Sequence, residues 1–171
     1  GLHDHHIHVA ALAASLTSIR CGPPEVSDAE GLTTALRQRG SGWLRGIGYH
    51  ESVAGMLDAA ALDVVNSDRP LRVQHRSGRM WFFNSYGLDR ILADHPAPSG
   101  LERVDGRYTG RLFDADAWLR RALASEPPSF AQVGSILIRA GVTGLTEMSP
   151  GNDSAMARHF AAEGASGALP Q

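Results

Sequence analysis

Strand-like and helical stretches alternate along most of this 171-residue chain. That alternation restricts the fold more than any other feature, because it points to an α/β protein whose βα units feed a parallel sheet. The opening GLHDHHIHV reads as a short strand, with Ile7 and Val9 apolar and alternating, and it runs into VAALAASLTSI, which has helical composition. SDAEGLTTALRQR predicts a second helix, with Ser27 or Asp28 as N-cap, Glu30 at capping-box spacing from Ser27 and Gly40 as the stop. GWLRGIGYH reads as a strand, DAAALDVVNS as a short helix and PLRVQHR as a further strand ahead of the aromatic-rich MWFFNSYGLDRIL. Between residues 94 and 113 the pattern breaks into an excursion whose Asp-Gly pair suits a hairpin turn, and we read it as an insertion. DADAWLRRALAS and SFAQVGSILIRAG predict two more helices, VTGLTEM a strand that closes on Glu147, and the tail a helix beginning after Asp153 or Ser154.

Composition narrows the function. The hydrophobic share of 43% with 20% charged residues is globular, and no apolar run approaches the roughly 18 residues that would span a bilayer, so no membrane partner is expected. The formal net charge is −2 and the arginines are scattered, which leaves no basic stripe for nucleic acid. All 16 basic side chains are arginine, so Schiff-base and general-base lysine chemistry is absent from these residues. One cysteine, Cys21, allows no internal disulfide, and no signal peptide precedes the first histidines, so a cytoplasmic setting is expected.

Four histidines and an aspartate crowd the first nine residues. Two histidines separated by one residue on a strand share a face, about 7 Å apart along the chain, and neutral imidazole is the commonest metal ligand. His6 and His8 meet that condition, with Asp4 on the same side as a ligand or an orienting group; His3 and His5 face the other way. The same run also reads as a tag remnant or as solvated loop histidines. Interleaving of the pair by Ile7 and Val9, and the helix that follows at once, favour the metal reading.

GLHDHHIHV resembles the first-strand signature of the amidohydrolase superfamily, with Asp4, His6 and His8 at its Asp-x-His-x-His positions. GWLRGIGYH, RPLRVQHRSGRMWFFNSYGL and AGVTGLTEMSPGND resemble, in the same order, stretches of the amidohydrolase-3 group, so the likeness covers nearly the whole chain. Two departures stand out: His50 replaces the group's common aspartate, and Arg79 stands after Gly78 where the group has histidine. The resemblance implies a partial TIM-barrel-like (β/α) domain over residues 1–171, about the first four βα units of a barrel. It also implies a divalent metal, zinc by expectation, held in part by His6 and His8, and hydrolysis of amide or cyclic amide carbon–nitrogen bonds in a small-molecule substrate. The group's metal-bridging lysine, later histidines and general-base aspartate fall beyond these residues, so an incomplete catalytic unit is expected, with self-association or homo-oligomer formation through open barrel edges.

Glu147 closes a strand where barrel enzymes place catalytic groups, and it is the candidate catalytic residue; a loop acid serving as an N-cap is the competing reading. His75 is read as a satisfied strand residue, and His50, His95 and His159 as surface or cap residues. Trp81, Phe82, Phe83 and Tyr86 at helical spacing read as core, or with Asn84 as a pocket wall. Cys21 reads as buried and idle. Two alternatives remain: a non-catalytic metal-binding or interaction fragment, and a complete small α/β protein with an accidental histidine run.

Overall fold

A computed structural model describes residues 1–124, 126–149 and 151–169. Ser125 at the end of a helical stretch, Pro150, and the last two residues of the tail lie outside the described residues. The chain divides into two compact units, Gly1–Thr17 with Ser125–Gln171, and Ser18–Ala124.

In the first unit, strand β1 (Leu2–Ile7) pairs in parallel with β8 (Val142–Glu147). Helix α1 (Val9–Leu16) follows β1 directly, while α7 (Ala131–Arg139) precedes β8 and α8 (Ser154–Ala165) follows it. The core comprises Ile7, Val9 and Ala13 from the first segment, Phe130, Val133 and Leu137 around α7, and Leu169, with Met156 and Phe160 of α8 packed against it. Gly141 takes a positive φ of 76° just past α7, the left-handed stop that a glycine supplies at least cost. Helix α8 starts where Asp153 accepts a hydrogen bond from the Met156 amide.

The second unit is a six-stranded mixed sheet in the order β2 (Ile19–Arg20), β3 (Leu44–Tyr49), β4 (Leu71–His75), β5 (Met80–Phe83), β7 (Arg107–Phe113), β6 (Leu101–Val104). The first three strands run parallel and the pairs from β4 onward are antiparallel. Around them lie α2 (Ala29–Leu36), α3 (Glu51–Ala54), α4 (Ala59–Val65), α5 (Ser85–Leu92) and α6 (Asp116–Leu123). Asp28, not Ser27, caps α2 by accepting from the Gly31 amide. The turn at Asp105 and Gly106, both at positive φ, joins β6 to β7 as a two-residue hairpin.

The sheet corrects one sequence expectation. The aromatic run is strand β5, not part of a helix: Met80 and Phe82 pack into one core cluster with Leu71 and Val73, while Trp81 and Phe83 pack into another with Leu88 and Leu112. Four consecutive apolar residues suit a strand buried on both faces, and such a run carries no periodicity to read. The connectivity supports the α/β class alone. The four parallel strands expected of one barrel segment lie in two separate sheets, because β1 bonds to β8 whereas β3 and β4 bond to each other. Neither sheet is closed, and the architecture is α/β with parallel pairing.

Candidate metal centre

His6 and His8 meet where β1 gives way to α1. Their rings stand 5.3 Å apart, centroid to centroid, edge to face. His3 and His5 form a second pair 4.5 Å apart, with His3 Nε2 3.0 Å from the Thr146 hydroxyl. A register shift between Asp4 and Ile7 inserts one residue into β1 relative to β8, which breaks strict alternation there. Asp4 accordingly turns onto its own backbone, accepting from the His6 amide at 3.0 Å, and touches neither imidazole of the pair.

Glu147 closes the adjacent strand and is nearly buried, with 10% of its side chain exposed. One oxygen accepts from the Val9 amide at 2.6 Å and the other from the Ser149 amide at 2.8 Å. Val9 opens α1, whose N-cap residue His8 makes no side-chain cap bond. The carboxylate therefore caps the helix from the neighbouring strand, where the positive end of the helix favours an anion. It also stands 3.9 Å from His8 Nδ1, and that nitrogen contacts the Ser149 hydroxyl at 3.2 Å. Ser149 is the member of this group that sequence reasoning missed; a serine ahead of Pro-Gly carries the signal of a turn and nothing more.

These contacts decide what the histidines can hold. The His6 ring nitrogens make no hydrogen bond among the described residues, and His8 Nε2 is likewise uncommitted. Two imidazoles side by side with open nitrogens fit a divalent ion as two of its ligands, and the Ser149 contact on the other nitrogen of His8 is the kind of outer partner that orients a ligating ring. No group of three His, Cys, Asp or Glu residues able to hold an ion is present among the described residues, so the pair stands there without a third such ligand. A cleft of about 610 Å³ opens in the same unit beside Leu2, His3, Gly144 and Phe160, at the N-terminal ends of the two strands, and the histidine pair does not line it.

The other sequence candidates are structural. His75, ending β4, is hydrogen-bonded to Glu51 at 2.9 Å and to the Ser77 hydroxyl at 2.8 Å, and the His75 contact holds the Glu51 carboxyl below its ordinary range. His50 caps α3 by accepting from the Ser52 amide, and His159 contacts the Pro128 carbonyl. Cys21 is buried, and burial pushes its thiol up to about 12. Asn84 is fully buried, its carbonyl accepting from the Leu71 and Gly87 amides and its amide donating to the Asn66 and Arg69 carbonyls.

Among the described residues no helix is long and apolar enough to cross a membrane. No protein-family model matches the chain, and no curated protein matches it. Two solved structures share its fold. One is an uncharacterized metal-dependent hydrolase from Pyrococcus horikoshii OT3, with a TM-score of 0.71 and 15% identity over 98% of this chain and 34% of that one. The other is an uncharacterized metal-dependent hydrolase from Pyrococcus furiosus, with a TM-score of 0.67 and 19% identity over 98% of this chain and 35% of that one. The chain spans about a third of the length of these structures, and its fold is similar to the corresponding third of each.

Proposed function

We propose that this chain supplies the first metal ligands, His6 and His8, of a metal-dependent hydrolase acting on carbon–nitrogen bonds of small amides or cyclic amides. The observation that carries the reading is the adjacency of the two imidazoles, 5.3 Å apart at the C-terminal end of a parallel strand, with both His6 ring nitrogens and His8 Nε2 making no hydrogen bond among the described residues. Ends of parallel strands are where βα proteins gather their chemistry. The fold shared with two metal-dependent hydrolases supports the reading, and the order of the amidohydrolase-like motifs supports the bond class.

The residues take distinct parts. His6 and His8 are the ligands. Ser149 holds His8 Nδ1, which leaves Nε2 for coordination. Glu147 ties the end of β8 to the start of α1 and so fixes the backbone that carries His8; both of its oxygens already serve backbone amides, which makes it a positioning group before it is a base. When bound, a divalent ion of zinc type supplies Lewis acidity, polarising the substrate carbonyl and lowering the pKa of water.

The test is hydrolysis by the protein expressed from its full reading frame, with zinc or manganese, against N-acyl amino acids, cyclic amides and activated esters. Turnover of the amides that disappears on joint His6→Ala and His8→Ala substitution is expected. Amide turnover that survives the double substitution contradicts the proposal. The lack of a third ligand among the described residues favours one competing reading, a metal-binding or interaction module without catalysis. That reading expects zinc binding without turnover in the same experiment.

A further inference from the structure

The least satisfied polar group among the described residues is a cation in the Ser18–Ala124 unit. Arg72 on β4 stands directly across from its register partner Arg45 on β3, so two guanidinium groups are neighbours on one face of the sheet. Like charges in that relation repel, and neither forms an ion pair with a carboxylate among the described residues. Arg72 lies 5.7 Å from the centroid of the Trp43 ring and 5.4 Å from that of Trp81, and Arg45 lies 5.5 Å from Trp81. Arg45 also donates to the Ser18 hydroxyl at 2.9 Å and to the Gln74 carbonyl oxygen at 3.4 Å. Arg72 makes no such bond, and its buried Nε has no partner at all. Burial and the nearby Arg45 charge push Arg72 down to about 10, so it remains a cation at neutral pH.

Indole faces attract the faces of a guanidinium, but its N–H donors lie in its plane, where stacking satisfies none of them; Nε alone is buried without a partner, and the terminal nitrogens are the ones a ligand can reach. Gln74 spends its carbonyl on Arg45, which leaves its amide as another donor. The group that completes such a set accepts without donating, is planar and carries negative charge. We infer that Arg72 and Arg45, with Gln74 beside them and Trp43 and Trp81 as walls, bind the carboxylate of a small organic acid. A guanidinium fork matches the two oxygens of a carboxylate, and an aromatic wall suits the apolar body of such a ligand. The site rests on residues distinct from the histidine pair, so it stands or falls independently of the metal reading.

A cation held ready without a counter-ion costs stability until its ligand arrives. The experiment uses the 171-residue chain and three probes, benzoate, neutral benzamide and inorganic phosphate, followed by the arginine Nε–H and indole N–H signals in NMR and by thermal melting. Benzoate is expected to shift the Arg72 and Trp43 signals saturably and raise the melting temperature, while benzamide does neither. Arg72→Met is expected to raise the ligand-free melting temperature by about 2–4 °C and to weaken the benzoate response at least tenfold. Equal responses to benzoate and benzamide overturn the proposal, as does an Arg72→Met protein that melts lower and still binds benzoate. Phosphate binding as tight as benzoate overturns the carboxylate assignment.

Discussion

Replacing Asn84 by alanine tests the structural reading of the Asn-Ser pair in the aromatic motif. The side chain is fully buried and all four of its hydrogen-bonding capacities are used. Truncation strands two buried amide donors, Leu71 on β4 and Gly87 in α5, and removes the N-cap of that helix. Each buried orphan costs about 1–3 kcal/mol, the Gly87 amide being the donor that the cap satisfied, while the Asn66 and Arg69 carbonyls sit on half-buried residues and recover water. The expected loss is therefore about 2–6 kcal/mol, or roughly 4–24 °C in melting temperature for a chain of this size. Trp43, Trp81 and Trp118 all belong to the Ser18–Ala124 unit, so tryptophan fluorescence in a urea titration reports that unit alone. Asn84→Asp keeps both acceptor bonds but sets a carboxylate against two carbonyls, and it should cost about as much near neutral pH. A loss below about 1 kcal/mol for Asn84→Ala would refute the bonding account and return Asn84 to the pocket-wall reading.

Three further outcomes follow from the contacts. The Cys21 thiol, raised from its ordinary 9.0 to about 12 by burial, should resist thiol reagents at pH 8. Its contribution to stability is complete below pH 9 and is lost as pH climbs from 9 toward 12, where the unfolded chain ionises first; Cys21→Ala should flatten part of that decline, and rapid labelling of the folded chain at pH 8 contradicts the burial. Glu147→Ala should destabilise the first unit by about 1–2 kcal/mol and speed hydrogen exchange at the Val9 and Ser149 amides, whereas unchanged exchange there contradicts the capping role. Parallel sheets are normally covered on both faces, yet β1 and β8 leave most of their residues exposed or half-exposed, so light scattering should show concentration-dependent association; a clean monomer throughout contradicts it.

Local chemistry made much of the fold legible, and non-local pairing did not. The N-caps at Asp28 and Asp153 and the turn at Asp105 and Gly106 announce themselves because each depends on one residue's own backbone preference. The bonding of β1 to β8 joins segments more than a hundred residues apart, and no local pattern encodes that. β2 was invisible for a similar reason: two residues directly after a helical run read as that helix's end until β3 pairs with them. At the candidate centre, the closeness of His6 and His8 was readable from their spacing and an N-cap role for Glu147 was among the readings, but that the capped helix is α1 was not, because its partner Val9 comes from the other end of the chain. Asp4 failed for a third reason, a one-residue bulge that strict alternation cannot anticipate.

The proposed function turns on His6 and His8 acting together as metal ligands. Zinc titration by calorimetry compares the unaltered chain, a His6→Ala and His8→Ala double variant, and a His3→Ala and His5→Ala double variant. One zinc per chain is expected, lost with the first double variant and kept with the second, since His3 Nε2 is engaged by Thr146 whereas both His6 ring nitrogens and His8 Nε2 make no hydrogen bond among the described residues. Equal loss of zinc in both variants, or undiminished binding in the first, would contradict it.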